Sequence, residues 1–260
     1  MPRISEYEKN LLANSYAIIQ IGSSNYQVSL SDLLGTSLAS SRTIGTYVND
    51  MLEDFANMIS TGFHIYPWME SLIGAGSISN AQSEENHPGI ARISQVGANT
   101  GGSLWLGNAA NILIAGQEET EFIVRPAVLT TAVYQFGFLD SFTAVGAASD
   151  GVYFQFQGAQ IIGVTLSSGV SSTTATNYVP SINTWYRLKL VINSNATRVD
   201  FYIYDESGNL LWTDNLTTNI PTTAGRVTSH GLRCYNTGAA TRTLVDVDYM
   251  SLFVPRLLTR

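Results

Sequence analysis

The second half of the chain repeats one pattern, in which apolar and polar residues alternate along short runs that end at turn residues. One such run covers residues 184–193, where one face carries Tyr186 and Leu188. The opposite face carries Arg187 and Lys189. Successive side chains of a β-strand point to opposite faces, so this period of two predicts a strand with one buried face. Because many such runs follow one another without a helical pattern, the sequence predicts an antiparallel β-sandwich or jelly roll.

Length and charge limit the classes of function. The chain has 260 residues, of which 45% are hydrophobic and 13% are charged, enough for one large β-domain and a smaller segment. The formal net charge of -7 argues against a nucleic-acid partner, which requires a basic surface patch. No apolar run is long enough to span a membrane, so we expect no membrane insertion. A weakly charged, hydroxyl-rich surface suits neutral partners, either other subunits or sugars.

Patterns along the chain predict four consecutive parts. In residues 1–40, two strand patterns flank a Gly/Ser/Asn turn, which predicts a small β-hairpin. Residues 41–62 are predicted to form one amphipathic helix. Residues 63–86 have the composition of a linker, and residues 87–260 are predicted to hold the β-sandwich domain.

The predicted helix rests on apolar residues that recur at spacings of four, three, four and three. Such a stripe fits a helix that packs on its own domain, and it also fits a short bundle of helices from several chains. Both alternatives stay open at this stage. The stripe consists of Ile44, Val48, Met51, Phe55 and Met58.

Several segments of the predicted sandwich resemble, in their order along the chain, a β-sandwich domain of tailed-bacteriophage appendage proteins. The usual opening of that domain is similar to residues 87–93. The resemblance implies the concanavalin-A-like jelly-roll fold, here preceded by the hairpin and the helix. The other similar segments are residues 121–126, 137–140, 150–154, 184–188, 201–203, 217–221 and 247–249.

The beginning of the chain resembles the segment by which many tail-fibre proteins join the virion, in residues 1–5, 16–19 and 28–33. Because such proteins are commonly homotrimers, the resemblance implies a homotrimer bound to other virion proteins of the tail, the portal-proximal region or the capsid. It also implies a place on the virion, after assembly in the bacterial host cytoplasm. Since the chain has no pattern of a long shaft, a short tail fibre, a head-attached fibre or a decoration protein is favoured.

Concanavalin-A-like folds include glycosidases, so a polysaccharide depolymerase is a less favoured alternative. Glu119 and Glu121 have the alternate spacing that could bring two carboxyl groups together for retaining hydrolysis. Enzymes of this class usually have a third acidic residue at the next alternate position, where this chain has Ile123. We therefore expect no enzymatic activity, and we expect both carboxylates to be solvated at the entrance of a strand.

The residue types that hold metals and cofactors are scattered. His64, His87 and His230 do not pair at the spacing of zinc ligands, so no zinc site is expected. No compact Asp/Asn loop supplies the six or more oxygens that calcium requires. No glycine-rich phosphate loop is present either, and we expect no cofactor. The single cysteine, Cys234, is expected to be a small buried residue.

A lectin-like receptor-binding protein that recognises a host surface polysaccharide is the second function that the sequence leaves open. Sugar sites place exposed aromatic faces beside amide or carboxylate groups. A trimer interface would use the same aromatic residues, and the interface is the favoured role. The register places two of the candidates, Tyr153 and Trp185, opposite the apolar face. The candidates for either role are Trp105, Tyr153, Trp185 and Trp212.

Overall fold

The computed structural model describes residues 16–21, 24–29, 46–53, 68–107, 112–143, 148–238 and 242–257. All regular secondary structure within these ranges is β-strand. The mainly β class that the alternation predicted is therefore confirmed.

The first two strands form a separate antiparallel pair. Strand β1 (Tyr16–Ile21) pairs with β2 (Ser24–Ser29), which confirms the hairpin predicted near the beginning of the chain. The chain divides into two compact units, and this hairpin belongs to the unit made of Met1–Tyr47 and Leu257–Arg260. Its role as a virion-attachment segment stays a prediction.

The second unit, Val48–Arg256, contains the β-sandwich. The strands that follow the hairpin are, in chain order, β3 (Thr46–Glu53), β4 (Trp68–Ile73), β5 (Ser77–Ala81), β6 (Ile90–Gln95), β7 (Thr100–Leu106), β8 (Glu119–Pro126), β9 (Ala132–Leu139), β10 (Gly151–Gln157), β11 (Gln160–Ser167), β12 (Val170–Thr173), β13 (Tyr186–Ile192), β14 (Val199–Tyr204), β15 (Leu210–Leu216), β16 (Ser229–Asn236) and β17 (Arg242–Leu257).

These strands form two antiparallel sheets that pack face to face. The seven-stranded sheet has the order β12-β11-β10-β9-β16-β7-β4. The eight-stranded sheet has the order β15-β14-β13-β8-β17-β6-β5, and β3 pairs with β17 beside this path. This architecture confirms the predicted antiparallel sandwich, because each sheet buries one apolar face against the other.

The helix predicted for residues 41–62 is wrong where the structure describes this region. Thr46–Glu53 is strand β3, and its pairing with β17 satisfies backbone groups that a helix would have bonded internally. Val48 and Met51 lie in this strand, so tertiary pairing overrides a local apolar spacing that fits a helix. The other members of the stripe lie outside the described residues, namely Ile44, Phe55 and Met58.

The linker predicted for residues 63–86 also contains regular structure. Strands β4 and β5 lie within it, each at the edge of a different sheet. Polar and small residues are numerous there because edge strands pair on one side alone and β5 is largely exposed. The sandwich therefore begins well before residue 87, where the sequence placed its start.

Aromatic rings from the two sheets interlock in the core. The Phe201 ring of β14 packs edge-on against the Phe154 ring of β10, with 5.2 Å between centroids. Gly163 on β11 faces the same ring, and a Cβ at this position would lie 2.6 Å from a Phe201 ring atom. A glycine is therefore required for the two sheets to approach this closely. Cys234 is buried in this core, as the sequence predicted.

A histidine is buried in the same core. The Thr120 hydroxyl donates to the Ser251 carbonyl at 2.8 Å, so His230 Nε2 must donate to Thr120 Oγ1, at 2.6 Å. The imidazole also stacks on Phe122, with 5.0 Å between ring centroids. Burial lowers the pKa of His230 to about 3, because the charged ring would lose its hydration.

His230 should make the fold less stable in mild acid. Its folded pKa of about 3 lies below the unfolded value of 6.5, so the unfolded chain binds more protons between these values. The free energy of unfolding should therefore fall as the pH decreases from 6.5, by at most about 1.4 kcal/mol per pH unit from this residue. The free energy of unfolding, measured by chemical denaturation at several pH values between about 7 and 5, should change less with pH in His230→Gln than in the wild type. Equal changes with pH would contradict the assignment.

Candidate functional site

The outward face of the seven-stranded sheet carries a row of polar side chains at its centre. Gln135 on β9 is the direct cross-strand neighbour of both Arg233 on β16 and Gln155 on β10. Since the adjacent Phe136 points into the core, alternation turns these polar residues to the opposite face. Gln157 lies two residues further along β10 on that same face. We refer to Gln135, Gln155 and Gln157 as the amide row.

Hydrogen bonds orient the amide row in a single direction. Arg233 Nε donates to Gln135 Oε1 at 2.8 Å, and because a guanidinium can only donate, this amide must present its oxygen to Arg233. Gln135 Nε2 then donates to Gln155 Oε1 at 3.0 Å. Gln155 Nε2 donates in turn to Gln157 Oε1 at 2.8 Å. The amide nitrogen of Gln157 is therefore the end of a chain of donors that begins at a cation.

Burial decreases along this chain of hydrogen bonds. Arg233 is 1% exposed and Gln135 is 5% exposed, whereas Gln155 is half-buried and Gln157 is exposed. Burial lowers the pKa of Arg233, the direction expected when a cation leaves water. Each amide is polarised by the donor behind it, so the exposed end offers N–H groups that are held in place before a ligand arrives.

An aromatic ring lies on the same face near the exposed end of the amide row. Val133 of β9 pairs with Tyr235 of β16, and the β9–β10 register, extended by one residue beyond the Tyr134–Phe156 pair, brings Val133 beside Gln157. Adjacent strands are about 4.8 Å apart, so Tyr235 and Gln157 lie roughly 10 Å from each other across the face. Tyr235 is half-buried. This arrangement combines amide donors with an apolar ring surface, which is the chemistry that a sugar ring requires.

Two of the aromatic candidates from the sequence lie on the same face, but they are covered. Trp105 and Tyr153 are 8% and 6% exposed, so neither presents the exposed aromatic face that a sugar site requires. Phe142 stacks on Trp105 with 5.6 Å between ring centroids. Ser103 Oγ anchors the covering segment by donating to the Phe142 carbonyl at 2.6 Å. The result is a small second apolar cluster outside the main core, and burial raises the pKa of Tyr153.

The other two candidates belong to the eight-stranded sheet or its flank. Trp185 is 7% exposed, and both faces of its indole are occupied. His87 stacks on one face at 4.1 Å between centroids, and the Arg125 guanidinium lies 4.6 Å from the ring centroid. Trp212 on β15 is half-buried and donates from Nε1 to Thr176 Oγ1 at 3.1 Å. The structure therefore does not bring the four aromatic candidates into one site.

His87 closes a tight turn, in which its backbone pairs with that of Glu84. It is 4% exposed, and its Nδ1 lies 3.0 Å from Asp248 Oδ2. On the other side of Trp185, Arg125 makes a bidentate contact with Glu84, at 2.7 and 2.8 Å, and reaches Asp246 at 2.7 Å. The hydrogen bond from Arg125 lowers the pKa of Glu84. No local spacing could have indicated these contacts, since the partners lie far apart along the chain.

The carboxylates considered for hydrolysis share one ammonium group. Lys189 Nζ lies 3.1 Å from Glu119 Oε2 and 3.3 Å from Glu121 Oε1. Burial works to lower the pKa of Lys189, but its contacts with these carboxylates raise the pKa overall. Both carboxylates are thus partners of a cation on the outward face of β8 and β13.

Metal-ligating residues do not gather in the described part of the chain. Within it, no group of three or more His, Cys, Asp or Glu side chains is arranged to hold a metal ion. Among the same residues, no helix is both long enough and apolar enough to cross a membrane.

The buried guanidinium that orients the amide row should be important for stability. Arg233→Ala should lower the free energy of unfolding by about 2–4 kcal/mol, because it leaves Gln135 buried without its donor. Arg226→Ala is the matched control, since Arg226 is more exposed and pairs with Asp150 at 3.0 Å. Its cost should be below about 1 kcal/mol. Urea denaturation of both variants measures the difference, and equal costs would contradict a structural role for the buried arginine.

Comparison with known proteins places this fold. Residues 86–248 match the family model described as SO2946-like, C-terminal domain. The protein of unknown function SO2946 from Shewanella oneidensis MR-1 is 21% identical with a TM-score of 0.70, over 88% of this chain and 95% of that one. Basic winged bean lectin with Tn-antigen is 10% identical with a TM-score of 0.56, over 82% and 100% of the respective chains. None of the curated protein sequences matches the chain.

A phage module is also similar in fold. The CBM2 module of the evolved Dit of Lactobacillus casei BL23 phage J-1 is 9% identical with a TM-score of 0.53, over 84% of this chain and 100% of the module. Together these likenesses confirm the lectin-like, concanavalin-A-like sandwich that the sequence resemblance implied. The family model covers more than half of the chain, from the segment before β6 into β17. The chain therefore belongs to the SO2946-like C-terminal domain family.

Proposed function

We propose that the chain is a non-enzymatic recognition protein of a tailed-phage particle, in which the β-sandwich binds a neutral host surface glycan. The particle component would be a short tail fibre or a head-attached fibre or decoration protein. The observation that carries glycan binding is the amide row, which runs from the buried Arg233 to the exposed Gln157.

The amide row suits a neutral ligand better than a charged one. Its exposed end offers uncharged N–H donors, which match the oxygen acceptors of sugar hydroxyl groups. The half-buried Tyr235 adds an apolar surface on the same face. Because Gln135 and Gln155 already hold each other, little side-chain freedom is lost when a ligand binds.

The pairing of the acidic residues supports binding without hydrolysis. A retaining glycosidase separates the pKa values of two carboxyl groups so that one donates a proton while the other attacks. Here Glu119 and Glu121 both contact the same ammonium group of Lys189, so their surroundings do not separate them into a proton donor and a nucleophile. They lie on the eight-stranded sheet, on the side of the sandwich away from the amide row.

Proteins of similar fold support both parts of the proposal. The winged bean lectin structure contains Tn-antigen, and the Dit module comes from a phage. The phage context rests in addition on the resemblance of residues 1–33 and 87–249 to virion-attachment and appendage segments. A trimer is consistent with the β1–β2 pair, because an isolated two-stranded hairpin is at best marginally stable in water.

Glycan binding can be tested with the full chain on an array of bacterial surface polysaccharides. We expect a neutral glycan to bind the wild type, and Gln157→Ala to weaken binding by about tenfold, because one or two hydrogen bonds are lost. The matched control is Asn215→Ala, which removes an exposed amide from the other sheet and should leave affinity unchanged. If no glycan binds, or if Gln157→Ala binds as the wild type does, the recognition role is wrong.

Assembly and location need separate measurements. Analytical ultracentrifugation of the full chain at micromolar concentration should show a homotrimer, because association would cover the apolar side of the hairpin. Immunogold labelling of intact particles of the encoding phage should place the protein on the tail or on the head surface. A monomer would refute the trimer, and unlabelled particles would refute the virion component.

A further inference from the structure

A pocket lies on the outward face of the eight-stranded sheet, on the side of the sandwich away from the amide row. Its volume is about 200 Å³. The cross-strand neighbours Ile123 of β8 and Arg187 of β13 form the floor, and Trp185, His87 and Glu206 of the β14–β15 loop form the wall. Pockets for drug-sized ligands measure about 300–1,000 Å³, so this one fits a ligand of roughly one ring or one residue.

The wall presents a buried polar atom without a hydrogen-bond partner. His87 is 4% exposed, and because a carboxylate can only accept, its Nδ1–H donates to Asp248 Oδ2 at 3.0 Å. In the neutral ring Nε2 then carries the lone pair and is an acceptor. This Nε2 lines the pocket and makes no hydrogen bond.

Glu206 presents a second acceptor next to the same atom. Glu206 Oε1 lies 3.4 Å from His87 Nε2, a separation that suits an ion pair with a protonated ring but is too long for a good hydrogen bond. With a neutral ring, two acceptors face each other, and both need a donor from elsewhere. A primary ammonium group supplies three N–H donors and a positive charge that Glu206 would attract.

The floor of the pocket presents a hydrogen-bond donor, so it requires an acceptor on the ligand. Arg187 Nε has no hydrogen-bond partner, and its guanidinium lies 4.5 Å from the Tyr204 ring centroid. An oxygen acceptor on the ligand would satisfy this N–H. Asp205 does not compete for it, because its carboxylate accepts from the backbone and side-chain nitrogens of Asn209, both at 2.8 Å. The charged groups at the pocket are thus Arg187, Asp205 and Glu206, with Asp248 behind His87.

We propose that this pocket binds a small ligand that carries a primary ammonium group next to an oxygen acceptor. The ammonium would lie beside the contact between His87 Nε2 and Glu206 and donate to both, and the oxygen would accept from Arg187 Nε. Ile123 and the edge of Trp185 would contact the carbon atoms of the ligand. An amino sugar and the first residue of a peptide both have this chemistry.

Three probes separate the ligand classes in titrations of the isotope-labelled full chain followed by nuclear magnetic resonance. D-glucosamine and glycinamide both carry the ammonium and the oxygen, whereas D-glucose matches glucosamine without the ammonium. We expect glucosamine, glycinamide or both to shift the ring nitrogens of His87 and the indole N–H of Trp185, and glucose to leave them unchanged. A response to glucosamine alone would assign an amino sugar, and a response to glycinamide alone would assign a peptide terminus.

Two carboxylate variants test the contact itself. Glu206→Gln keeps the side-chain shape and lies on an exposed loop, so thermal unfolding should be unaltered while affinity falls by at least about tenfold. Glu121→Gln is the matched control on the same face of the sheet, where Glu121 contacts Lys189, and it should bind as the wild type does. Equal affinity for glucose, no response to either amine, or unchanged affinity in Glu206→Gln would overturn the proposal.

This second site does not depend on the glycan site. Gln157→Ala lies on the other sheet and should leave amine binding unchanged, whereas Glu206→Gln should leave binding to a neutral glycan unchanged. Loss of both activities in either variant would show that the two sites are not separate and would overturn the assignment of a distinct pocket.

Discussion

The close approach of two apolar sheet faces is the constraint on which the rest of the structure depends. Phe201 inserts from one sheet against Phe154 and Gly163 of the other, so the two sheets interlock at that point without room for an additional methyl group. Because strand side chains alternate, every residue committed to this core turns its neighbours outward. Both candidate sites are built from those outward positions, and their geometry follows from the register that the core imposes.

Alternation allowed the fold to be predicted, and it failed where a second layer covers a sheet. Tyr186 and Leu188 are buried on β13 while Arg187 and Lys189 are partly exposed, as the spacing predicted. On β9 and β7 every residue is buried, and the segment around Phe142 covers the part of the outward face that holds Trp105 and Leu139. Tyr153 was placed opposite the apolar face and does lie there, but it is covered together with Trp105 beneath this segment. The apolar spacing around Val48 predicted a helix because local spacing gives no information about pairing with the distant strand β17.

The sites could not be read from the sequence because their contacts join distant parts of the chain. Arg233 and Gln135 are separated by 98 residues, and His87 and Asp248 by 161. No local pattern distinguishes Arg233 from the other basic residues, and His87 has no histidine partner at ligand spacing. Their burial depends on which strands become neighbours, a property of the topology rather than of any local pattern. The exposed glutamines carried no signal either, because single amides are common on strand surfaces.

The two outward faces present opposite hydrogen-bonding character, and charge explains why. On the seven-stranded sheet the buried Arg233 sets the direction of the amide row, so a cation inside produces donors outside. On the eight-stranded sheet the buried Asp248 carboxylate pairs with His87 Nδ1, and His87 Nε2 is buried without a hydrogen bond. A buried charge thus determines whether the neutral groups between it and solvent present hydrogen-bond donors or acceptors. Neutral oxygen acceptors suit the first face and a cationic donor suits the second, so the two proposed sites would select chemically different ligands on one sandwich.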